Sequence, residues 1–244
     1  SARQPKHQSP AELAAMRHHL QLAAREREAE QRAQWAKNAE RNAALWAASI
    51  PADDAVRSYL AARGLAQWPV PACIRQHPGL AYWHADDNGE LHMLGRYPAM
   101  LAPIVSGGKL LAIHRTYLGD GCKADVPTPK KLTAAAGPLA GACIPLAAPH
   151  GGVLGIAEGI ETAAAASLGS GLPVVAAYCA NALAGFALPR GIERLVIFAD
   201  HDPAGQQAAA TLAQRATRAG LTSKTLTPSK PGSDWADVWL EGMQ

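Results

Sequence analysis

The chain has 244 residues, of which 48% are apolar, 18% charged and only 5% aromatic, and its net charge is +3. Such a composition suits a globular protein packed mainly with Ala, Leu, Val and Ile, and it excludes collagen-like, low-complexity and disulfide-built classes. The excess of Lys and Arg falls within residues 1–150, while residues 151–244 are slightly acidic. That polarity suits a polyanion held beside an acidic, metal-loaded site.

The first element is a long helix. In Ser9-Pro10-Ala11-Glu12, Ser9 can cap, Pro10 fits the first turn and Glu12 can close a capping box. The helical pattern runs to about Ser49 and stops at Ile50-Pro51; its charged middle, "AREREAEQRAQWAKNAERN", predicts a helix solvated on most sides or docked on a partner. These residues form an N-terminal unit, 1–50.

Residues 53–65 predict a compact helix capped by Asp53 or Asp54, with Val56, Tyr59 and Leu60 on its apolar face and Gly64 as its stop. The period then shifts toward strands. "GLAYWHADDNGELHML", "AMLAPIVSGGKLLAIHRTYL" and "GACIPLA" read as short strands with turns at Asn88-Gly89 and Gly107-Gly108. Residues 51–150 are therefore expected to form a small, basic, mixed α+β subdomain.

From residue 151 strands alternate with helices: "GGVLGIAE", "GIETAAAASLGSG", "LPVVAAYC", "NALAGFAL", "IERLVIFAD", "PAGQQAAATLAQRATRAG", "SKTLTPS" and "SDWADVWLEG". This rhythm predicts a compact parallel α/β sheet over 151–244. The apolar stretch 171–189 is long enough to span a membrane, but Pro173, Asn181, Gly185 and Pro189 divide it into strand, turn and helix. No signal peptide opens the chain, so a cytoplasmic protein without membrane contact is expected. The start at Ser1, without Met, is what a fragment would show. Cys73, Cys122, Cys143 and Cys179 contain no C-x-x-C pair, which excludes a zinc ribbon within the chain and points to reduced, packed thiols.

Chemistry concentrates at the predicted strand ends, where open parallel sheets place their functional groups. Glu158 ends the first α/β strand, and Asp200 and Asp202 end the third. Alternation would aim the two aspartates to one side and His201 to the other. Their mutual repulsion is relieved by a cation, and oxygen-only ligands favour Mg²⁺. The order "LGIAEGIETAAAA", "LVIFADHDPAGQQAA", "PGSDWADVW" resembles the Toprim domain of bacterial-type primases, topoisomerases and some nucleases. Its wording is closest to the primases of phages, plasmids and mobile elements. Upstream, "YLAARGL", "PAMLAPI", "AIHRTYLGDGCKADVPTPKKL" and "GPLAGACIPLA" are similar to what precedes the domain in that family.

The resemblance implies a Rossmann-like Toprim fold behind a basic subdomain. It implies Glu158 as a metal ligand or general base, Asp200 and Asp202 as carriers of Mg²⁺ or Mn²⁺, and Asp234, less directly Asp237, as a further acidic position bounding the metal. Arg96, Arg115, Lys123, Lys130 and Lys131 are the expected contacts to template and nucleotide. Gly159 and Gly205 would allow close backbone approach, and Asn181 would open a helix whose free N–H groups could meet a phosphate. Glu161 is an alternative metal residue, although its place in a first helical turn suits a cap or dipole role. Asp234 can equally be a helix cap.

The implied activity is synthesis of short RNA primers on single-stranded DNA from NTPs, with a replicative helicase or a template-reading zinc module on the same or another chain as partner. That zinc module is the departure from the family, and its lack here puts independent, sequence-selective initiation in doubt. Competing readings are a metal-dependent nuclease and a non-catalytic module that binds single strands. A topoisomerase would need a tyrosine nucleophile and a gate, and no G-x-G-x-x-G supports dinucleotide binding. His84, His92 and His114 lack metal spacing and read as structural. Most tryptophans read as core, with Trp83 the best candidate for stacking a base.

Overall fold

The computed structural model describes residues 10–243. The Ser9 cap lies outside them. Helix α1 (Pro10–Ala47) is exposed along most of its length. Its C-terminal end docks on the chain itself: Asn42 donates through Nδ2 to the carbonyls of Leu111 (3.3 Å) and Ala134 (3.1 Å), and Asn38 to that of Ala135 (2.8 Å). The solvated expectation thus holds for most of residues 16–34, and an internal docking surface begins inside the charged run at Asn38 and Asn42 and continues through Leu45 and Trp46.

After β1 (Ile50–Pro51) comes α2 (Asp54–Ala62), which buries Val56, Tyr59 and Leu60 and ends before Gly64, at φ 72°. Strands β2 (Arg75–Ala85), β3 (Leu91–Ser106), β4 (Lys109–Tyr117) and β5 (Lys130–Leu132) complete an antiparallel sheet of order β1-β2-β3-β4-β5. Gly107 and Gly108 join β3 to β4 with φ of 55° and 75°, the left-handed pair that a tight hairpin requires. The expected strand "GACIPLA" is absent. Its backbone makes single bridges instead, Cys143 to Val105 in this sheet and Ile144 to Ala176 in the next. Pro145 has no N–H to extend a ladder, so the segment ties two sheets together without joining either.

The C-terminal unit follows the expected alternation: β6 (Val153–Ala157), α3 (Ile160–Ser170), β7 (Val174–Ala176), α4 (Ala180–Gly185), β8 (Arg194–Phe198), α5 (Pro203–Arg218), β9 (Thr222–Leu226) and α6 (Trp235–Glu241). The sheet order is β7-β6-β8-β9, with every pair parallel. One face, carrying Leu154, Ile156, Leu195 and Ile197, packs on α4 and α5. The other, carrying Ala157, Val196 and Phe198, shares a core with α3, α6 and with Met100, Ala102 and Ile104 of the antiparallel sheet. The two sheets are therefore joined by one continuous apolar layer. Among the described residues no helix is long and apolar enough to cross a membrane.

Candidate active site

Ala157 pairs with Phe198 in the parallel β6–β8 ladder, so the chain leaves both strands side by side. Glu158 follows β6 directly, and Asp200 lies two residues beyond β8. Burial and the charge of Asp202 push the Glu158 carboxyl above its usual range, against the opposing pull of Lys130 and the Ala180 N–H. Asp200 is pushed up to about 7, first by burial and then by Glu158, Asp234, Asp202 and Asp237. Its Oδ1 is buried without a hydrogen-bond partner.

Two of the other acids are oriented by helix caps. Asp202 caps α5, its Oδ1 accepting the Gly205 N–H at 2.7 Å. Gly205 permits that approach, since a Cβ there would lie 3.0 Å from the Asp200 carbonyl oxygen. Asp234 caps α6 through Oδ1, which accepts from Ala236 and Asp237, while its Oδ2 accepts from Thr162 Oγ1 at 3.5 Å. The cap and the place in the site are thus compatible for Asp234. His201 turns away, with Nδ1 2.8 Å from the Pro228 carbonyl oxygen.

The facing wall is basic. A cleft of about 210 Å³ separates Glu158, Asp200 and Asp234 from Arg63, Lys123, Lys130 and His114. Glu161 closes its floor as a tie between the two sheet units, accepting from Lys130 Nζ at 2.9 Å and Tyr59 Oη at 2.5 Å. Burial pushes its carboxyl up, but Lys130 and Tyr59 overcome that and hold it at about 2. Both carboxylate oxygens are engaged, so Glu161 is not the metal residue that its position allowed. Burial and Lys130 lower the Lys123 ammonium, and the same causes hold the His114 imidazole at about 4, hence neutral. Tyr178 at the rim carries a left-handed φ of 70°, the one such non-glycine among the described residues, and its N–H bonds the Glu158 carbonyl at 2.8 Å. Backbone strain of this kind concentrates at functional sites.

The five basic residues expected to act together are divided. Strand alternation puts Ala112, His114 and Thr116 on the cleft side of β4 and Ile113, Arg115 and Tyr117 on the other. Lys130, paired with Thr116, enters the cleft; Lys131, paired with Arg115, lies on the outer face. Arg96 is exposed on β3 and donates to the Gly79 carbonyl at 3.2 Å. At the start of α4, the Ala180 N–H is turned toward Glu158 closely enough to pull its carboxyl downward. Sequence reasoning missed Arg63, which follows α2 directly, and His114, whose alternation with Ala112 and Thr116 was the available signal.

Oxygen-only donors, mutual repulsion and the orphaned Asp200 Oδ1 fit a hard divalent cation. Glu158, Asp200 and Asp202 do not bring one oxygen each within 4.8 Å of one another; among the described residues that spacing occurs at Asp86, Glu90 and His92. The latter close the β2–β3 turn, where Asp86 Oδ1 accepts from Asn88 and Glu90 and Oδ2 meets His92. The cleft acids lie farther apart than those three groups.

Residues 153–243 match the Toprim domain family, and residues 36–144 match a domain of unknown function, DUF7146. The C-terminal unit is a Toprim domain. Among curated proteins none matches the chain. Among solved structures, the chain is similar to a DnaG primase catalytic domain bound to ssDNA, with a TM-score of 0.55 at 16% identity, covering 86% of this chain and 77% of that one. It is likewise similar to the DnaG catalytic core, with a TM-score of 0.50 at 15% identity, covering 76% and 69%. Beyond its Toprim domain, then, the chain has the fold of primase catalytic domains.

Proposed function

We propose that the chain is the catalytic core of a DNA primase of the phage, plasmid and mobile-element kind, making short RNA primers on single-stranded DNA in the cytoplasm. The observation that carries this reading is the cleft itself, with Glu158, Asp200 and Asp234 on one wall and Arg63, Lys123 and Lys130 on the other. In the reaction a primer 3′-hydroxyl attacks the α-phosphate of an NTP, a new phosphodiester forms and pyrophosphate leaves.

Glu158, Asp200, Asp202 and Asp234 would hold Mg²⁺ or Mn²⁺, which when bound lowers the hydroxyl's pKa and neutralises the phosphates. Asp200 must lose a proton to take part, so its carboxyl couples cation binding to proton release. Where the three aspartates alone hold the cation, Glu158, raised above the ordinary carboxylate range, serves instead as the base that receives the hydroxyl proton. Arg63, Lys123 and Lys130 neutralise the triphosphate, and Lys130 is held in place for this by Glu161. The boundaries 1–50, 51–150 and 151–244 separate the helical, basic and Toprim units in this reading. A helicase or a zinc-bearing template reader would act with them.

The test is incubation with single-stranded DNA, labelled NTPs and Mg²⁺ or Mn²⁺. Labelled oligonucleotides that disappear in Glu158→Gln and Asp200→Asn support priming. DNA shortened without NTPs would replace it with a nuclease, and DNA bound with neither product would replace it with a binding module.

A further inference from the structure

The outer face of the antiparallel sheet holds a second groove, of about 470 Å³, between the docked end of α1 and the β2–β3 hairpin. Asn38, Arg41, Asn42 and Leu45, spaced as one helical face, form one side. Trp83 and Arg115 form the other, and no Asp or Glu lines the groove among the described residues. Trp83 is 50% exposed, in contrast to the buried Trp68. Lys131 Nζ donates to the Trp83 carbonyl and sits 4.1 Å from the centroid of the Tyr82 ring. Arg115 is held by Nη2 on the Leu132 carbonyl (2.6 Å) and Nη1 on Tyr117 Oη (3.4 Å), with its Nε buried and unpartnered. No carboxylate neutralises it, and Arg41 is exposed with no ion pair among the described residues.

An open aromatic plate bordered by unneutralised guanidinium groups is the chemistry that grips single-stranded nucleic acid, by stacking bases and tracking phosphates. We propose that this groove is a single-strand binding track, separate from the catalytic cleft, in which Trp83 stacks a base while Arg41 and Arg115 take the flanking phosphates and Lys131 braces the Trp83 backbone from outside the groove. Lys130 and Lys131 then have different duties: Lys130 meets the nucleotide inside the cleft, and Lys131 holds the Trp83 plate in place outside it. The proposal rests on the reading of the chain as acting on single-stranded DNA, but not on its being catalytic.

The test is a titration of the full chain with labelled oligothymidylate, followed by fluorescence anisotropy at several salt concentrations. Trp83→Ala is expected to weaken binding about tenfold with an unchanged salt slope, and Trp83→Phe to restore much of it. Arg41→Ala is expected to lower the slope by about 0.7, the single-strand value for one phosphate contact. Both side chains are exposed, so folding is retained and checked by circular dichroism. Wild-type affinity in both alanine variants would overturn the proposal, as would no binding by the wild type, or equal Trp83 dependence with duplex DNA. Asp200→Asn separates this from the primase reading: oligothymidylate binding that persists without any primer synthesis supports the track whatever the fate of the catalytic assignment.

Discussion

Replacing Asp200 with Asn should stabilise the metal-free protein while removing its activity. The Asp200 carboxyl rises from 3.8 to about 7 in the folded chain. At about 1.4 kcal/mol per unit, full conversion would be about 4 kcal/mol. The group keeps some contact with water, which screens its neighbours, so about 1–2 kcal/mol is the expected effect. For a carboxyl raised by folding, the stabilising contribution is complete below the unfolded value and is lost as pH climbs to the folded one. Wild type should therefore match Asp200→Asn near pH 4 and fall progressively behind it, with the gap complete above about pH 7. A thermal melt in chelator should show the variant about 2–6 °C higher at pH 8. Adding Mg²⁺ should raise the wild type and leave Asp200→Asn nearly unmoved. A variant that melts at or below wild type at pH 8 in chelator would refute the idea that burial, together with repulsion from the neighbouring acids, penalises the ionised Asp200.

Other consequences follow from single contacts. Lys130→Met strands the buried Glu161 charge and should cost about 2–4 kcal/mol in urea denaturation, with Glu161→Gln on the same chain restoring most of it. The same pair contributes fully above the ordinary carboxyl value of 4.5 and loses its contribution as pH falls toward about 2, so Glu161→Gln should flatten the acid limb of stability. Gly205→Ala drives a Cβ to 3.0 Å from the Asp200 carbonyl and should cost about 1–3 kcal/mol along with priming activity, read by denaturation and primer assay. Asn42→Ala removes two bonds to the sheet and should loosen the end of α1 by about 1–2 kcal/mol, seen as faster hydrogen exchange there and not in β6 or β8.

Much of the C-terminal unit was legible because its chemistry is local. Apolar runs of strand length alternate with alanine-rich helices from Val153 onward, and two helix starts carry their own capping signal, Asp202-Pro203 for α5 and Asp234 for α6. The candidacy of Glu158, Asp200 and Asp202 came from their places at strand ends, which strand periodicity alone locates. The segment around Cys143 was misread for a related reason: its residues favour a strand, but Pro145 and the lack of a continuous partner confine it to two bridges.

What chain order could not supply was adjacency and facing. That β6 lies beside β8, which brings Glu158 next to Asp200, is settled by sheet order and the packing of α3 and α5 on opposite faces. Lys130 and Lys131 look alike in sequence, yet a pleated strand sends successive side chains to opposite faces, and only the tertiary fold says which face meets the Toprim domain. Glu161 shows the same limit. Its place in a first helical turn was visible, whereas the Tyr59 and Lys130 that claim it arrive from residues far along the chain, through burial that no local pattern encodes.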